Sequence, residues 1–389
     1  MNLEIDIVGP WIQATTQLNN TVISNGTNNT NLPPLKFDLT ADICNRRNVY
    51  TEIHYVGFAI TVVNGIGMFI TGLRLPLLLF TKSPKWNDKY KPLLVACLGI
   101  IVLQPLAMFI ITSLFQAGHD MPEQDQLTVI LASSLPTWTF CFHFVRWSGG
   151  HIGLARMIQC VITIAATVTM NINVRIYATL PETRAFDDYG EQIYVPWSGI
   201  SEIFANFICF ILGGIFFQIA YSNGKRRFTS GFFAAIFWIG PVLSMLVYCL
   251  FVLFLAIECP QAYQPSGSLW GCACLQPVVG VFIGLGLGKL FSLKWQETVT
   301  IAILVGGPNV QYMIGTLIND YDQKQVFQSI ISYPVLLYIF EIFWLGLFTL
   351  FLNNFYRLIP RLKNKSATRL FSMWKDEKEL HKLYSGINV

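Results

Sequence analysis

Nine stretches, each long and apolar enough to cross a lipid bilayer, run through this chain at 56–80, 92–116, 127–146, 152–177, 198–222, 229–257, 269–291, 298–318 and 326–356. A helix of roughly 20 apolar residues matches the hydrocarbon thickness. Nothing else in the sequence restricts the fold as strongly. In lipid every backbone amide and carbonyl must find a partner inside the protein, and helices provide that within one segment. The expected fold is therefore an all-α integral membrane protein with about nine transmembrane helices. Composition agrees, because 12% charged residues is about half the share of an average soluble domain. The lipid bilayer is the first expected partner. Lys and Arg punctuate the apolar runs instead of covering one face, which excludes a nucleic-acid surface. The opening residues, MNLEIDIVGPW, are acidic and carry no long apolar core, so no cleavable signal is expected.

The charges between the runs assign the sides. Lys82, Lys85, Lys89 and Lys91, then Lys225, Arg226 and Arg227, then Lys289 and Lys294 fall in alternate loops. The intervening loops carry Asp120, Glu123, Asp125, Glu182, Asp187, Asp188, Glu191, Glu258, Asp320 and Asp322. Basic loops stay cytoplasmic, which puts the C-terminus inside and the N-terminus outside. Three glycosylation sequons beginning at Asn19, Asn25 and Asn28 agree with an outer N-terminal segment. The expected organisation is an extracellular glycosylated segment over 1–55, a transmembrane domain over 56–356 and a cytoplasmic basic tail over 357–389. That tail is expected either to lie on the inner leaflet or to be solvated. A plasma membrane location follows as the default. Five of nine cysteines, Cys97, Cys141, Cys160, Cys209 and Cys249, fall in apolar runs and read as small hydrophobes. Cys44, Cys259, Cys272 and Cys274 are expected near the outer surface, where oxidation is available.

Two spans are interrupted. The third reads Ser133-Ser134-Leu135-Pro136-Thr137-Trp138-Thr139 and the eighth Val305-Gly306-Gly307-Pro308-Asn309-Val310-Gln311. The second and seventh share Leu-Gln-Pro, at Leu103-Gln104-Pro105 and Leu275-Gln276-Pro277. Both proline pairs, and Gly99 with Gly271, are separated by 172 residues. Spans five apart run in opposite directions, so the halves read as an inverted repeat with two broken, crossing helices. A broken helix leaves polar main chain that hydrocarbon cannot satisfy, and secondary carriers place such breaks where solute binds. The alternative is a pair of ordinary proline kinks.

With these features the chain resembles the bile acid:sodium symporter family over roughly 56–356. The resemblance implies a core domain with crossing helices, a panel domain, and organic anions moved with sodium between them. It also implies sodium ligands that this sequence lacks. Cys141 and Phe142 stand where Ser and Asn are expected, and Ala155 and Gln159 where Ser and Thr are expected. Leu304 stands for the shared carboxylate, Pro308 for a Gln, and Ile100 for another Gln. Sodium wants oxygen ligands, so sodium is a cofactor only by family and a proton is the alternative. No metal site is expected.

The substrate and crossover residues are expected to be Pro136, Thr137, Thr139, Gly306, Gly307, Pro308, Asn309 and Gln311, with Trp138 and Phe142 as aromatic lining. Glu341, in the ninth span, reads either as a buried paired acid or as a proton-coupling or counterion site. Arg156 reads either as a snorkelling side chain or as a replacement for the missing cation. His143, Arg146 and His151 are expected at the cytoplasmic rim. The leading function is a secondary transporter of small amphipathic organic anions of the bile acid or steroid-conjugate type. The alternative is a transport-inactive sensor with the same fold. No nucleophile–base pair or metal set appears in the sequence, so an enzyme is not expected. A homodimer is compatible with the chain.

Overall fold

The computed structural model describes residues 86–118, 121, 123–178, 197–222, 245–254, 256–257, 263, 266–310, 312–313 and 324–358, with Tyr55, Ala59, Val242 and parts of 62–72. All of them fall within the unit Ile43–Val389. The expectations for the N-terminal segment with Asn19, Asn25 and Asn28, for Gln311, Cys44 and Cys259, and for most of the tail lie outside these residues. The described secondary structure is helical.

Four helices are long and apolar enough to cross a membrane: Tyr90–Ala117, Ile152–Tyr177, Gly267–Leu290 and Ser332–Asn354. They coincide with the second, fourth, seventh and ninth expected spans. The third and eighth are split into shorter pieces, and the first and sixth are described only in part. The helices used below are α1 (Trp86–Cys97), α2 (Gln104–Ala117), α3 (Glu123–Ser133), α4 (Cys141–Trp147), α5 (Ile152–Ala178), α6 (Trp197–Ser222), α7 (Gly267–Leu290), α8 (Trp295–Gly306) and α9 (Lys324–Leu358). Their large exposed hydrophobics, such as Leu114, Ile172, Phe282 and Phe351, form the outward surfaces that lipid covers.

Between α1 and α2 the chain widens into a π-helical segment, Leu98–Leu103, where the Gln104 amide donates to the Gly99 carbonyl. Pro105 is the cause. A helical proline gives no N–H and crowds the carbonyl four residues before it, here that of Ile101. The Asn173 side-chain amide of α5 donates to that carbonyl at 2.9 Å, so the lost bond is replaced from a neighbouring helix.

The tightest packing joins α7 to α8. Gly280, Gly284 and Gly288 form a stripe along α7. A methyl group at Gly284 would come within 2.4 Å of the Ala302 Cα, at Gly280 within 2.6 Å of the Val305 carbonyl, and at Gly288 within 2.3 Å of the Thr298 side chain. Thr298, Ala302 and Gly306 form the matching stripe of small residues on α8. Close approach of this kind replaces the hydrophobic drive that helices lack inside lipid. The sequence carries this signal as glycines at intervals of four.

Toward the other end of α7, Gln104 donates from Nε2 to the Gln276 carbonyl at 3.2 Å, and the two residues are 172 apart. The Tyr333 hydroxyl of α9 donates to Gln276 Oε1 at 2.5 Å. The glutamines of the two Leu-Gln-Pro signatures thus join α2, α7 and α9. Cys272 and Cys274, expected near the outer surface, are free thiols in the first turns of α7, and Cys272 is buried. Ser266 caps this helix, its Oγ accepting from the Leu269 amide, so the helix begins at Gly267, ahead of Cys272, and carries it into the packing.

Candidate functional site: the meeting of two broken helices

The first break begins because Pro136 cannot donate to the ladder and holds Leu135 away from helical geometry. The hydroxyls of Ser133 and Ser134 donate back to the Ile130 carbonyl at 2.8 and 2.9 Å, which satisfies the end of α3. The chain re-enters helix at Cys141. The second break follows α8 at Gly307, with Pro308 next. Here Gly and Pro together end the helix.

The two breaks meet. Thr137 and Pro308 form an isolated antiparallel bridge. The Trp138 amide donates to the Gly307 carbonyl at 2.9 Å, and the Asn309 amide donates to the Pro136 carbonyl at 2.6 Å. Main-chain groups released by one broken helix are therefore satisfied by the other, in a place where water is scarce. Pro136, Thr137, Gly307, Pro308 and Asn309 thus meet at one place in the fold. Thr139 follows the bridge and is fully buried.

Gln159 of α5 completes the first break. Its amide Nε2 donates to the Thr137 carbonyl at 2.7 Å, and its Oε1 accepts from the Thr137 hydroxyl. Thr163, one turn on, supports it at 3.4 Å. Hydroxyl and carbonyl of one residue are thus both held by one amide. The sequence marked Gln159 only as a departure from a ligand pattern. Its function as a clamp depends on α5 crossing the break, which no local signal gives.

The second break is enclosed differently. A methyl at Gly307 would lie 2.2 Å from the Cys141 Sγ and 2.9 Å from Glu341 Oε1. Glycine is therefore demanded by close approach. The Cys141 thiol donates toward the Gly307 carbonyl at 3.7 Å and toward Glu341 Oε1 at 3.8 Å. Glu341 is 0% exposed. Its Oε2 has no hydrogen-bond partner among the described residues. A carboxyl from the ninth span thus reaches the crossing, although Cys141 and Glu341 are 200 residues apart.

Several expectations are corrected. Trp138 and Phe142 are 1% and 2% exposed and do not line an open surface. Trp138 packs on Phe140 and Tyr338 with ring centroids 4.8 and 5.1 Å apart. Aromatic side chains beside a break fill the space that a broken helix leaves, which explains the difference. His143 is buried between Phe140 and Trp147, at 5.0 and 5.8 Å, and is not at a rim. His151 is exposed, and its Nδ1 accepts from the Leu154 amide at 2.9 Å, serving as a cap for α5. Arg156 is buried on α5. Ile100, Ala155 and Leu304, three positions of the lost ligand pattern, are buried and apolar. Among the described residues no group of three or more His, Cys, Asp or Glu side chains could hold a metal ion.

Apolar spanning helices around two mutually bonded breaks define the class: an α-helical membrane protein. The chain is similar to the human ileal sodium/bile acid cotransporter, with 20% identity over 255 residues, covering 65% of this chain and 68% of that protein. This distant match suggests the bile acid:sodium symporter family and supports a membrane transporter of that kind. No protein-family model matches the chain.

Proposed function

We propose that the chain is a secondary carrier, not an enzyme, that moves a small amphipathic organic anion of the bile acid or steroid-conjugate type by alternating access. The proposed architecture has nine spans in an inverted repeat, with the N-terminus outside and the C-terminus in the cytoplasm of a plasma-membrane protein. The carrying observation is the reciprocal bonding of the two breaks through Trp138, Gly307, Asn309 and Pro136. Interrupted helices are costly to keep in lipid unless they serve a solute. The contact between Gln104 and Gln276 supports the repeat reading, since the two residues are separated by the same offset of 172.

Thr137, Thr139, Gly306, Gly307, Pro308, Asn309 and Gln311 mark the crossover at which solute is handled. Sodium at the family's positions is not part of this reading. Leu304 offers no oxygen there, and the Gln159 amide is spent on Thr137. Uptake of radiolabelled bile acid and steroid sulfate into vesicles, with sodium and pH varied separately, tests the proposal. Saturable, substrate-dependent uptake is the expected result. Saturable binding without uptake would replace the carrier with a sensor.

A further inference from the structure

Glu341 is the buried acid that the crossover itself does not explain. Its Oε1 faces the Cys141 thiol at 3.8 Å and lies against Gly307, and its Oε2 has no partner among the described residues. The titratable groups that face it can be named element by element. From α4 comes Cys141, from the helical stretch Met245–Phe254 comes Tyr248, and from its own helix comes Tyr338. The helices α3, α7 and α8, also packed on α9, bring no further described titratable group to it. All three neighbours are neutral hydroxyl or thiol groups. No described cation faces the carboxyl.

An ionised carboxylate in that setting has lost water and gained only one weak thiol bond in exchange. A positive charge must therefore accompany it. A metal cation needs several oxygen ligands, and the described oxygens beside the carboxyl already make other bonds: the Tyr248 hydroxyl donates to the Pro334 carbonyl at 3.3 Å and the Tyr338 hydroxyl to the Met245 carbonyl at 3.1 Å. The Gly307 carbonyl accepts from the Trp138 amide at 2.9 Å and from the Cys141 thiol at 3.7 Å. The thiol is a poor ligand for a hard cation. A proton needs only the carboxyl oxygen.

We propose that Glu341 is the proton-binding residue of the carrier, taking up H⁺ in one facing state and releasing it in the other so that an organic anion travels with a proton. The inference rests on the carrier reading above and names its coupling ion. The balance is simple. The carboxylate gains a proton from water on the loading side, the neutral acid is carried while Glu341 is buried as it is here, and the proton returns to water on the other side. One proton with one monoanion moves no net charge. Gly307 couples the two events, because any shift of the second break changes the space around Oε1.

The test uses purified full-length protein in liposomes loaded with unlabelled steroid sulfate, with radiolabelled steroid sulfate outside. Exchange at equal pH reads the carrier alone, and an acid-outside pH step reads coupling. Wild-type protein should accumulate label on the pH step, without a response to membrane potential. Glu341→Gln should lose that accumulation while keeping part of the exchange. Equal accumulation by Glu341→Gln overturns the proposal, as does accumulation that follows a sodium gradient and ignores pH. If Glu341→Gln also loses exchange, Glu341→Asp decides, with recovered pH-driven accumulation in favour and none against. If wild-type protein shows no exchange, the carrier reading has failed by itself. The proton site is then judged by infrared difference spectroscopy on the detergent-solubilised protein. A protonated-carboxyl band present in wild type and absent in Glu341→Gln supports it, and no such band refutes it.

Discussion

The two breaks perform the same topological task and are held by opposite means. Around Thr137 the environment is chemical: Gln159 bonds both the hydroxyl and the carbonyl, and Thr163 stands behind it. Around Gly307 the environment is steric, with α8 pressed onto the glycine stripe of α7 and Cys141 and Glu341 closing over the backbone. A polar clamp tolerates a change of shape but not the loss of a donor. A steric clamp tolerates the loss of an atom but not its addition. At the first break the carbonyl and hydroxyl of Thr137 are both bonded, whereas beside the second the Glu341 Oε2 has no hydrogen-bond partner among the described residues.

This contrast can be broken most severely on the steric side. Gly284→Val places branched carbons against the Ala302 main chain, which cannot withdraw, and should cost about 3 kcal/mol or prevent assembly. Thermal unfolding in detergent with monodispersity by size exclusion would measure it. Gly307→Ala should cost about 2 kcal/mol for the same reason. Here the obstructing atoms are side-chain atoms, so adding Cys141→Ala to the same chain should return a good part of the loss. A double-mutant cycle with no recovery would show that the Cys141 sulfur is not the obstruction.

The polar side should respond to deletion. Gln159→Leu keeps the volume but strips the Thr137 carbonyl of its donor, with an expected cost of about 1–3 kcal/mol. Gln159→Leu combined with Thr137→Val should restore little, since the carbonyl remains unpaired. The smallest effect is expected at Trp138→Phe. The indole Nε1 makes no hydrogen bond among the described residues, so only packing changes, within about 1 kcal/mol. Thermal unfolding in detergent would measure it.

The chemical and steric halves were not equally legible in the sequence. The meeting of Pro136 with Pro308 was readable because an identical offset relates two pairs of prolines, and repeats survive in spacing when side chains diverge. The shared signature paired Gln104 with Gln276 in the sequence, but their contact is seen only in the structure. The glycine stripe was written plainly at 280, 284 and 288, and it needed only the question of what α7 packs against. Gln159 and Cys141 carried no such mark. Their roles come from α5 and α9 crossing the breaks, and contacts 22 and 200 residues apart leave no periodic trace. Glu341 stood out as an acid in an apolar run, but its destination did not. Trp138, Phe142 and His143 were misplaced because an aromatic or imidazole ring beside a break serves equally as lining or as filler, and only packing distinguishes the two.

The reciprocal main-chain bonds between the breaks restrict how this molecule can change shape. Each interrupted segment holds the other's acceptor, so pulling one away alone strands an amide and a carbonyl where no solvent can rescue them. The reciprocal bonds therefore hold the two interrupted segments as one piece.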